Sequence, residues 1–301
     1  MFFSFLIASK NEQDDIKNVI DSCLSQKYKN FEIIIVDDST DETRNIINKF
    51  QSNKINLIEG DNEGCCNARN RGIQNAKGEV IVFLTADTIL PDNYLNEISK
   101  YYQAGYDWVT VSAEIKNQEF IFPQFIEAQH KYDESEPKYD PYTTQGYSVK
   151  KSVAIDVGMI SGGVYPFNFC RDWTLGKKLT DKKYNKFHDR NIKVFHNSPS
   201  RLDDYWNVRK TRGLMSAYQP YYFFNKKISY LIFKFILKTF ISFLKIIMVI
   251  PFFYKLYQIA KFSNKKFLNI FVFIPSYLIQ EYAFRYGEFR GLFNIYSKRK
   301  K

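Results

Sequence analysis

A chain of 301 residues, 45% hydrophobic and 25% charged, can bury a full core, which excludes disorder of the whole chain and leaves room for one large domain or two ordinary ones. Its four cysteines, Cys23, Cys65, Cys66 and Cys170, show no C-x-x-C spacing, which excludes a metal knuckle; they read as reduced thiols in a cytosolic setting. The net charge of +11 sits at one end: residues 221–301 hold 15 Lys+Arg against 2 Asp+Glu, and residues 1–220 hold 28 against 30.

The apolar start Phe2–Ala8 lacks a basic leader region and reads as a buried first strand. Residues Asp14–Ser25 follow as a helix, with Ile16, Val19, Ile20, Cys23 and Leu24 on one face. The run Phe31–Val36 is apolar except for Glu32, as a central parallel strand requires. Ser39-Thr40-Asp41-Glu42 reads as a capped helix start, and the helix runs over Asp41–Gln51. A short strand at Ile55–Glu59, a helix at Gly64–Ala76 closed by Lys77-Gly78, and a strand at Val80–Leu84 come next. Pro91-Asp92 opens a further helix and Trp108–Ile115 is a further strand. The stretch Asn117–Gln145 is irregular and tyrosine-rich, with one helix expected around Phe125–Tyr132; it reads as an insertion lying over a site.

This alternation predicts an α/β fold: a mostly parallel, Rossmann-like sheet with right-handed crossovers and flanking helices. Ligands of such sheets bind beyond the C-terminal strand ends. The polar residues there are Ser9, Asp37, Asp38 and the turn Thr85-Ala86-Asp87. A strand-end carboxylate can accept from a base N–H or a ribose hydroxyl.

The stretch from Cys23 to Asp41, with Phe31-Glu32-Ile33-Ile34-Ile35-Val36-Asp37-Asp38 at its centre, closely resembles the opening signature of family 2 glycosyltransferases of GT-A fold. So does Cys66-Asn67-Ala68-Arg69-Asn70-Arg71-Gly72, and the resemblance continues, with gaps, to about Tyr218. It implies an inverting enzyme acting on a nucleotide-sugar, with uracil as the default base. By the family pattern, Asp38 contacts the base with Asp37 beside it, and the first loop contributes Ala8, Ser9, Asn11 and Glu12. Asn11 matches that pattern; Ala8 and Lys10 stand where the family has Pro and Tyr, so a stacking tyrosine is absent. Arg69 takes the position of a basic residue near the diphosphate, where a planar guanidinium fork suits phosphate, and Arg71 reads as solvated.

The family's D-x-D motif corresponds to Thr85-Ala86-Asp87, with Thr85 replacing the first carboxylate. The resemblance makes Asp87 a ligand of Mg²⁺ or Mn²⁺, with Ala86 against the donor; one carboxylate, two phosphate oxygens and waters suffice for Mg²⁺. Val157-Gly158-Met159-Ile160 and Cys170-Arg171-Asp172-Trp173 match the family's acidic pair before Trp, with Arg171 in place of Glu. Asp172 then stands as the general base, with Arg171 expected to depress its basicity unless it points away. His196, ending a short strand, is a second candidate near metal and diphosphate.

Residues 1–220 are thus expected to form the catalytic domain and residues 221–301 a basic, aromatic, amphipathic helical tail. The uncharged runs Ile246–Tyr254 and Phe267–Gln280 are short for a membrane span and each holds a proline. On a helical wheel Lys227, Lys234, Lys238 and Lys245 form a narrow stripe on an otherwise apolar helix. That suits an in-plane helix on an anionic membrane surface, which implies a peripheral protein on the inner face of the cell membrane acting on a glycan or lipid-linked acceptor. Packing on the catalytic domain or on a second copy of the chain is the alternative partner reading. Nucleic acid is disfavoured, because such broad apolar faces are poorly used against phosphates. Thr85 and Arg171 are the residues that favour a different class of protein, a non-catalytic nucleotide-sugar-binding scaffold of the same fold.

Overall fold

The structure is a computed structural model and describes residues 1–161 and 172–299, the side chains of 245, 246, 298 and 299 excepted. The chain divides into two compact units, Met1–Glu114 with Asp140–His196, and Ile115–Tyr139 with Asn197–Lys301. Charge alone had suggested a boundary at residue 220; compactness places it at 196/197 and gives the segment 115–139 to the second unit.

The first unit is built on seven strands: β1 Phe3–Ser9, β2 Phe31–Asp37, β3 Ile55–Glu59, β4 Val80–Leu84, β5 Trp108–Ile115, β6 Ser148–Lys150 and β7 Lys186–His196. Their order is β3-β2-β1-β4-β6-β5-β7. β1 pairs in parallel with β2 and β4, and β2 with β3, so Ser9 lies opposite Asp37 at the same sheet end. β6 is antiparallel to both β4 and β5. The sheet is therefore mixed, with a parallel half that carries the site.

The continuous apolar strands are explained by burial on both faces. Phe5, Ile7, Ile33, Ile35, Val82 and Leu84 face helices α1 (Ile16–Leu24) and α4 (Tyr94–Gln103), which supply Val19, Ile20, Leu95 and Ile98. The alternate residues Leu6, Ile34, Val36, Ile81 and Phe83 face α3 (Cys65–Asn75), α6 (Lys151–Asp156) and α7 (Asp172–Asp181). A second short helix, α2, spans Thr43–Asn48. Glu32, the one charged residue in its strand, is buried and accepts from Ser4 Oγ at 2.7 Å and the Lys77 N–H at 2.6 Å. Cys23, Cys65 and Cys66 form no disulfide among the described residues; Cys170 and Arg171 lie outside them.

The second unit is helical: α5 Ile121–Ser135, α8 Leu202–Tyr222, α9 Ile228–Ile247, α10 Val249–Ala260 and α11 Lys266–Arg299. Its core joins Phe122, Phe125 and Ile126 of α5 to Tyr205, Leu256, Ile259 and Phe273. α8 and α11 meet backbone to backbone: a Cβ on Gly213 would stand 1.9 Å from the Phe284 carbonyl oxygen, and one on Gly287 1.9 Å from that of Lys210. Pro275 is accommodated inside α11, which is one helix of 34 residues. Among the described residues one helix, Lys266–Ser297, is long and apolar enough to cross a membrane, and α9 and α10 meet at a bend of 91°.

Candidate active site

The C-terminal ends of β1, β2 and β4 bring the strand-end residues of the first unit together. Asp37 is fully buried and spoken for: its Oδ1 accepts from Ser9 Oγ at 2.7 Å and Ser39 Oγ at 2.6 Å, and its Oδ2 from Arg44 Nε at 3.3 Å. Its carbonyl accepts from Arg44 Nη2 at 3.0 Å and the Gly60 N–H at 2.9 Å. Asp37 is therefore the knot that ties three loops, and its oxygens are occupied by protein donors. Ser9, also buried, spends its hydroxyl on the same knot.

Asp38 differs. Its N–H donates to the Ser9 carbonyl at 3.0 Å and its Oδ1 accepts the Asn62 N–H at 2.9 Å. No protein donor reaches its Oδ2 among the described residues. The chain can pass this close only because residue 60 is glycine: a Cβ there would stand 1.9 Å from Asp38 Oδ1. Gly60→Ala should thus swing the Asp38 carboxylate aside with little change in fold, and weaken nucleotide binding by about tenfold, the worth of one charge-assisted hydrogen bond. A nucleoside diphosphate titration with unchanged Kd would contradict this.

The first loop is stitched to the segment after β2. Asn11 adopts a left-handed backbone, φ 58°, which asparagine tolerates better than most residues. Its N–H donates to Ser39 Oγ at 2.8 Å and its Oδ1 accepts the Thr40 N–H at 2.9 Å. The Glu12 N–H donates to Thr43 Oγ1 at 2.8 Å. Ala8 and Ala86 bring only backbone polar groups; the Ala86 side chain is buried in the core.

Asp87 stands in the turn after β4, half-buried. The Thr85 hydroxyl, in the place of a carboxylate, donates to Asp87 Oδ1 and lies 2.7 Å from Thr88 Oγ1 and 3.1 Å from Gln145 Oε1. His196 Nδ1 is 3.9 Å from Asp87 Oδ2, placed there by the backbone pairing of Ile89 with Phe195. Glu12 and Asp15 lie within the field of Asp87. The Glu12 carboxyl is pushed up to about 7, first by burial and then by the charges of Asp87, Asp15 and Asp41. Asp15 is raised too, by burial and then by Asp87.

This crowding of negative charge is what a divalent cation would relieve, so Mg²⁺ or Mn²⁺ fits the site. Asp87 is a hard oxygen ligand and His196 an imidazole beside it. Among the described residues no three His, Cys, Asp or Glu side chains form a complete cage, so the remaining ligands would come from donor phosphates and water. The linkage has a definite sign. Glu12 holds its proton more tightly folded than unfolded, so its contribution to stability is present below its ordinary value of 4.5 and is lost as pH rises through about 7. A cation beside Asp87 competes with the same proton. Mn²⁺ affinity should rise by up to about tenfold between roughly pH 6 and 8, and Glu12→Gln should flatten that rise. A flat wild-type profile, read by metal titration, would contradict it.

On the other face of the parallel half, Arg69 of α3 is buried and ion-paired through Nη1 with Asp172 Oδ2 at the start of α7. The neighbouring Asn70 secures the arrangement: its Nδ2 donates to the Ile160 carbonyl at 2.8 Å and its Oδ1 accepts the Ile160 N–H at 3.1 Å. The Ser161 N–H then donates to Thr174 Oγ1 at 3.1 Å. The residue set against Asp172 is thus Arg69, and the Arg171 expectation lies outside the described residues. Arg71 is half-exposed. Sequence reasoning missed Ser39, Arg44, Gly60, Asn62 and Gln145. Only the Gly60-Asp61-Asn62 turn after β3 left a readable signal.

The profile of glycosyl transferase family 2 matches residues 4–161. The chain belongs to that family and has the GT-A fold. A UDP-Glc:alpha-D-GlcNAc-diphosphoundecaprenol beta-1,3-glucosyltransferase of Escherichia coli is 46% identical over 86 residues, 28% of this chain and 34% of that protein. The glycosyltransferase AglE of Haloferax volcanii is 30% identical over 204 residues, 61% of this chain and 63% of that protein. The chain therefore spans between a third and just under two thirds of these curated relatives. In fold it is similar to S. aureus TarS 1-349 in complex with UDP-GlcNAc, with TM-score 0.54, 14% identity and coverage of 96% of this chain and 90% of that one. It is also similar to the mannosyltransferase PcManGT of Pyrobaculum calidifontis in complex with GDP-Man and Mn²⁺, with TM-score 0.56, 19% identity and coverage of 70% and 61%.

Proposed function

We propose that the chain is an inverting glycosyltransferase of hexosyltransferase type. It moves a sugar from a nucleotide-sugar, UDP-linked by preference, to a hydroxyl of a membrane-proximal glycan or lipid-linked acceptor in polysaccharide or glycoconjugate synthesis. What supports this reading is an uncommitted carboxylate oxygen at Asp38 and an acidic turn at Asp87 beside His196, both at the parallel strand ends, together with a carboxylate at Asp172 paired with Arg69.

Asp38 would accept a hydrogen bond from the base, and Arg69 would offset charge on the diphosphate. A divalent ion, when bound by Asp87 and His196, would neutralise the leaving diphosphate. The acceptor hydroxyl oxygen forms the new bond to the anomeric carbon. The bond from that carbon to the donor phosphate oxygen breaks, and its electron pair leaves on the nucleoside diphosphate. The hydroxyl proton passes to Asp172. Attack from the face opposite the leaving group inverts the anomeric centre. The anomeric coupling in the ¹H spectrum of the product tests this: an α-linked donor should give a β-linked product, and retention would overturn the assignment of Asp172 as base.

The second unit supports a membrane-surface location on the inner face. α9 and α10 turn many large apolar side chains outward, among them Phe233, Ile236, Phe240 and Ile250, the last 83% exposed. Exposed apolar area on this scale marks an interaction surface. Lys238 is exposed and Lys234 half-exposed on the same helix. The C-terminal half of α11 carries Glu281, Arg285, Glu288 and Arg290, which are costly inside hydrocarbon, so an in-plane arrangement is favoured over a span. Changing Lys234 and Lys238 to Glu should weaken co-sedimentation with anionic vesicles by about tenfold or more, at roughly 1 kcal/mol per basic residue near the surface. Unchanged pelleting would sink the interfacial reading.

A further inference from the structure

The second unit holds a cavity that the transfer chemistry does not use. About 300 Å³ in volume, it lies among α5, α8 and α11. Arg209 and Arg212 of α8 and Arg285 of α11 converge on it, with His130 and Asp133 of α5 and Gln280 and Glu281 of α11 completing the wall.

Three observations separate this cavity from an ordinary solvated groove. First, Arg209 is 6% exposed and its Nε–H has no acceptor. It lies against the Tyr205 ring, 5.1 Å from the centroid, which fixes its direction. The Arg285 Nε–H, on the facing helix, is likewise buried without an acceptor. Buried donors without partners are rare and costly, and the cavity wall brings both of these arginines, from facing helices, to one space.

Second, the arginines of α8 lack a counter-ion. Among the described residues no carboxylate makes an ion pair with Arg209 or Arg212. The cavity's own carboxylates are engaged elsewhere. Glu281 Oε2 accepts from Ser242 Oγ at 3.3 Å, and Asp133 feels Lys255 while burial holds its carboxyl above the usual range. Arg285 alone is paired, through Nη1 with Glu288 at 2.7 Å. Arg212 is exposed to water; its guanidinium is pushed down to about 10, first by lost solvation and then by the charge of Arg209. Two like charges thus stand within each other's field with no carboxylate paired to either among the described residues, an arrangement that an anion would favour.

Third, the wall is rigid. The glycine contacts that lock α8 to α11 fall at Gly213, beside Arg212, and at its partner Phe284, beside Arg285. The guanidinium groups are therefore set in place before any ligand arrives, which lowers the cost of binding.

We infer that this cavity binds a phosphoryl oxyanion, a phosphate or diphosphate group whose two negative charges meet Arg209 and Arg212. Planar, multidentate donors of fixed charge are the side chains suited to that group. The inference stands on the second unit alone and does not depend on the assignment of Asp38, Asp87 or Asp172. The phosphoryl group can arrive on a lipid headgroup or free in water, and the two sources are separable.

The experiment uses the full chain in EDTA, so that no metal-held phosphate contributes. It titrates inorganic pyrophosphate and, separately, short-chain phosphatidic acid against short-chain phosphatidylcholine. Arg212→Gln, on the exposed side of the cavity, should weaken binding at least tenfold with an unchanged melting temperature; Arg209→Gln should do the same if it remains folded. Lys226→Gln, exposed outside the cavity, should leave binding unchanged. Pyrophosphate binding lost in Arg212→Gln supports a free phosphate ligand. Phosphatidic acid binding alone, lost in the same variant, supports a headgroup. Binding of neither probe, or binding indifferent to Arg212→Gln, overturns the proposal.

Discussion

Replacing Asp172 by Asn should lower the turnover of sugar transfer by about 10²–10⁴, the usual worth of a positioned general base. The substitution keeps an acceptor oxygen for Arg69 Nη1 and so preserves much of the local geometry. It removes the group that takes the hydroxyl proton. The electrostatic cost is real: Arg69 is 3% exposed, and breaking a buried ion pair by neutralising one partner costs on the order of 3–5 kcal/mol where both are buried. Asp172 is 22% exposed and Asn still accepts, so the loss of stability should fall below that range. The two effects are read separately, turnover from nucleoside diphosphate release and stability from calorimetry. A variant that stays folded yet keeps more than about a tenth of wild-type turnover would remove Asp172 from the chemistry.

Asp38→Ala should raise the Kd for nucleoside diphosphate by about ten- to a hundredfold, because hydrogen bonds to charged groups contribute roughly 1.5–3 kcal/mol. Two causes act together. The uncommitted oxygen of Asp38 is lost to the ligand, and the Asn62 N–H loses the acceptor that fixes the turn after β3. Asp37→Ala should behave differently. It opens the knot joining Ser9, Ser39 and Arg44, and its main expression should be a lower melting temperature. Similar effects of the two substitutions on affinity and stability would contradict the division of labour within this pair.

The division was not readable from the sequence, where Asp37 and Asp38 are adjacent and equivalent in kind. It follows from the pleat and from partners 28 residues upstream and 22 downstream, at Ser9 and Gly60. What was legible was whatever local pattern dictates: the apolar strands β1, β2 and β4, the faces of α1 and α3, and the carboxylates at strand ends. β6 was not legible, since Ser148–Lys150 is too short to show a period and is defined by its pairing between β4 and β5. Nor was α11. Pro275 removes one helix hydrogen bond, but the turn beside it is packed, with the Tyr205 hydroxyl donating to the Ser276 carbonyl at 3.0 Å, and tertiary contacts outweigh local propensity. Charge composition pointed to residue 220 because the excess of basic over acidic residues begins there. The compact unit begins earlier because α8 packs on α11 and α5 lends Phe122 and Phe125 to the same core. The ion pair of Arg69 with Asp172 joins residues 103 positions apart, and no spacing rule spans that distance.

Thr85 shows a departure from pattern acquiring a role from structure. It cannot ligate as a carboxylate would, yet its hydroxyl fixes Asp87 against Thr88 and Gln145. Glu12 lies in the same field, its carboxyl pushed up to about 7 first by burial and then by Asp87.

Whether the chain transfers sugar is tested most directly by incubating the purified full chain with a panel of nucleotide-sugars and membrane-derived acceptor, and measuring nucleoside diphosphate release. At least one donor, UDP-linked by preference, should give acceptor-dependent release that EDTA suppresses and Asp172→Asn lowers by about a hundredfold or more. Nucleotide binding without release from any donor would contradict the catalytic account and make the chain a nucleotide-sugar-binding scaffold.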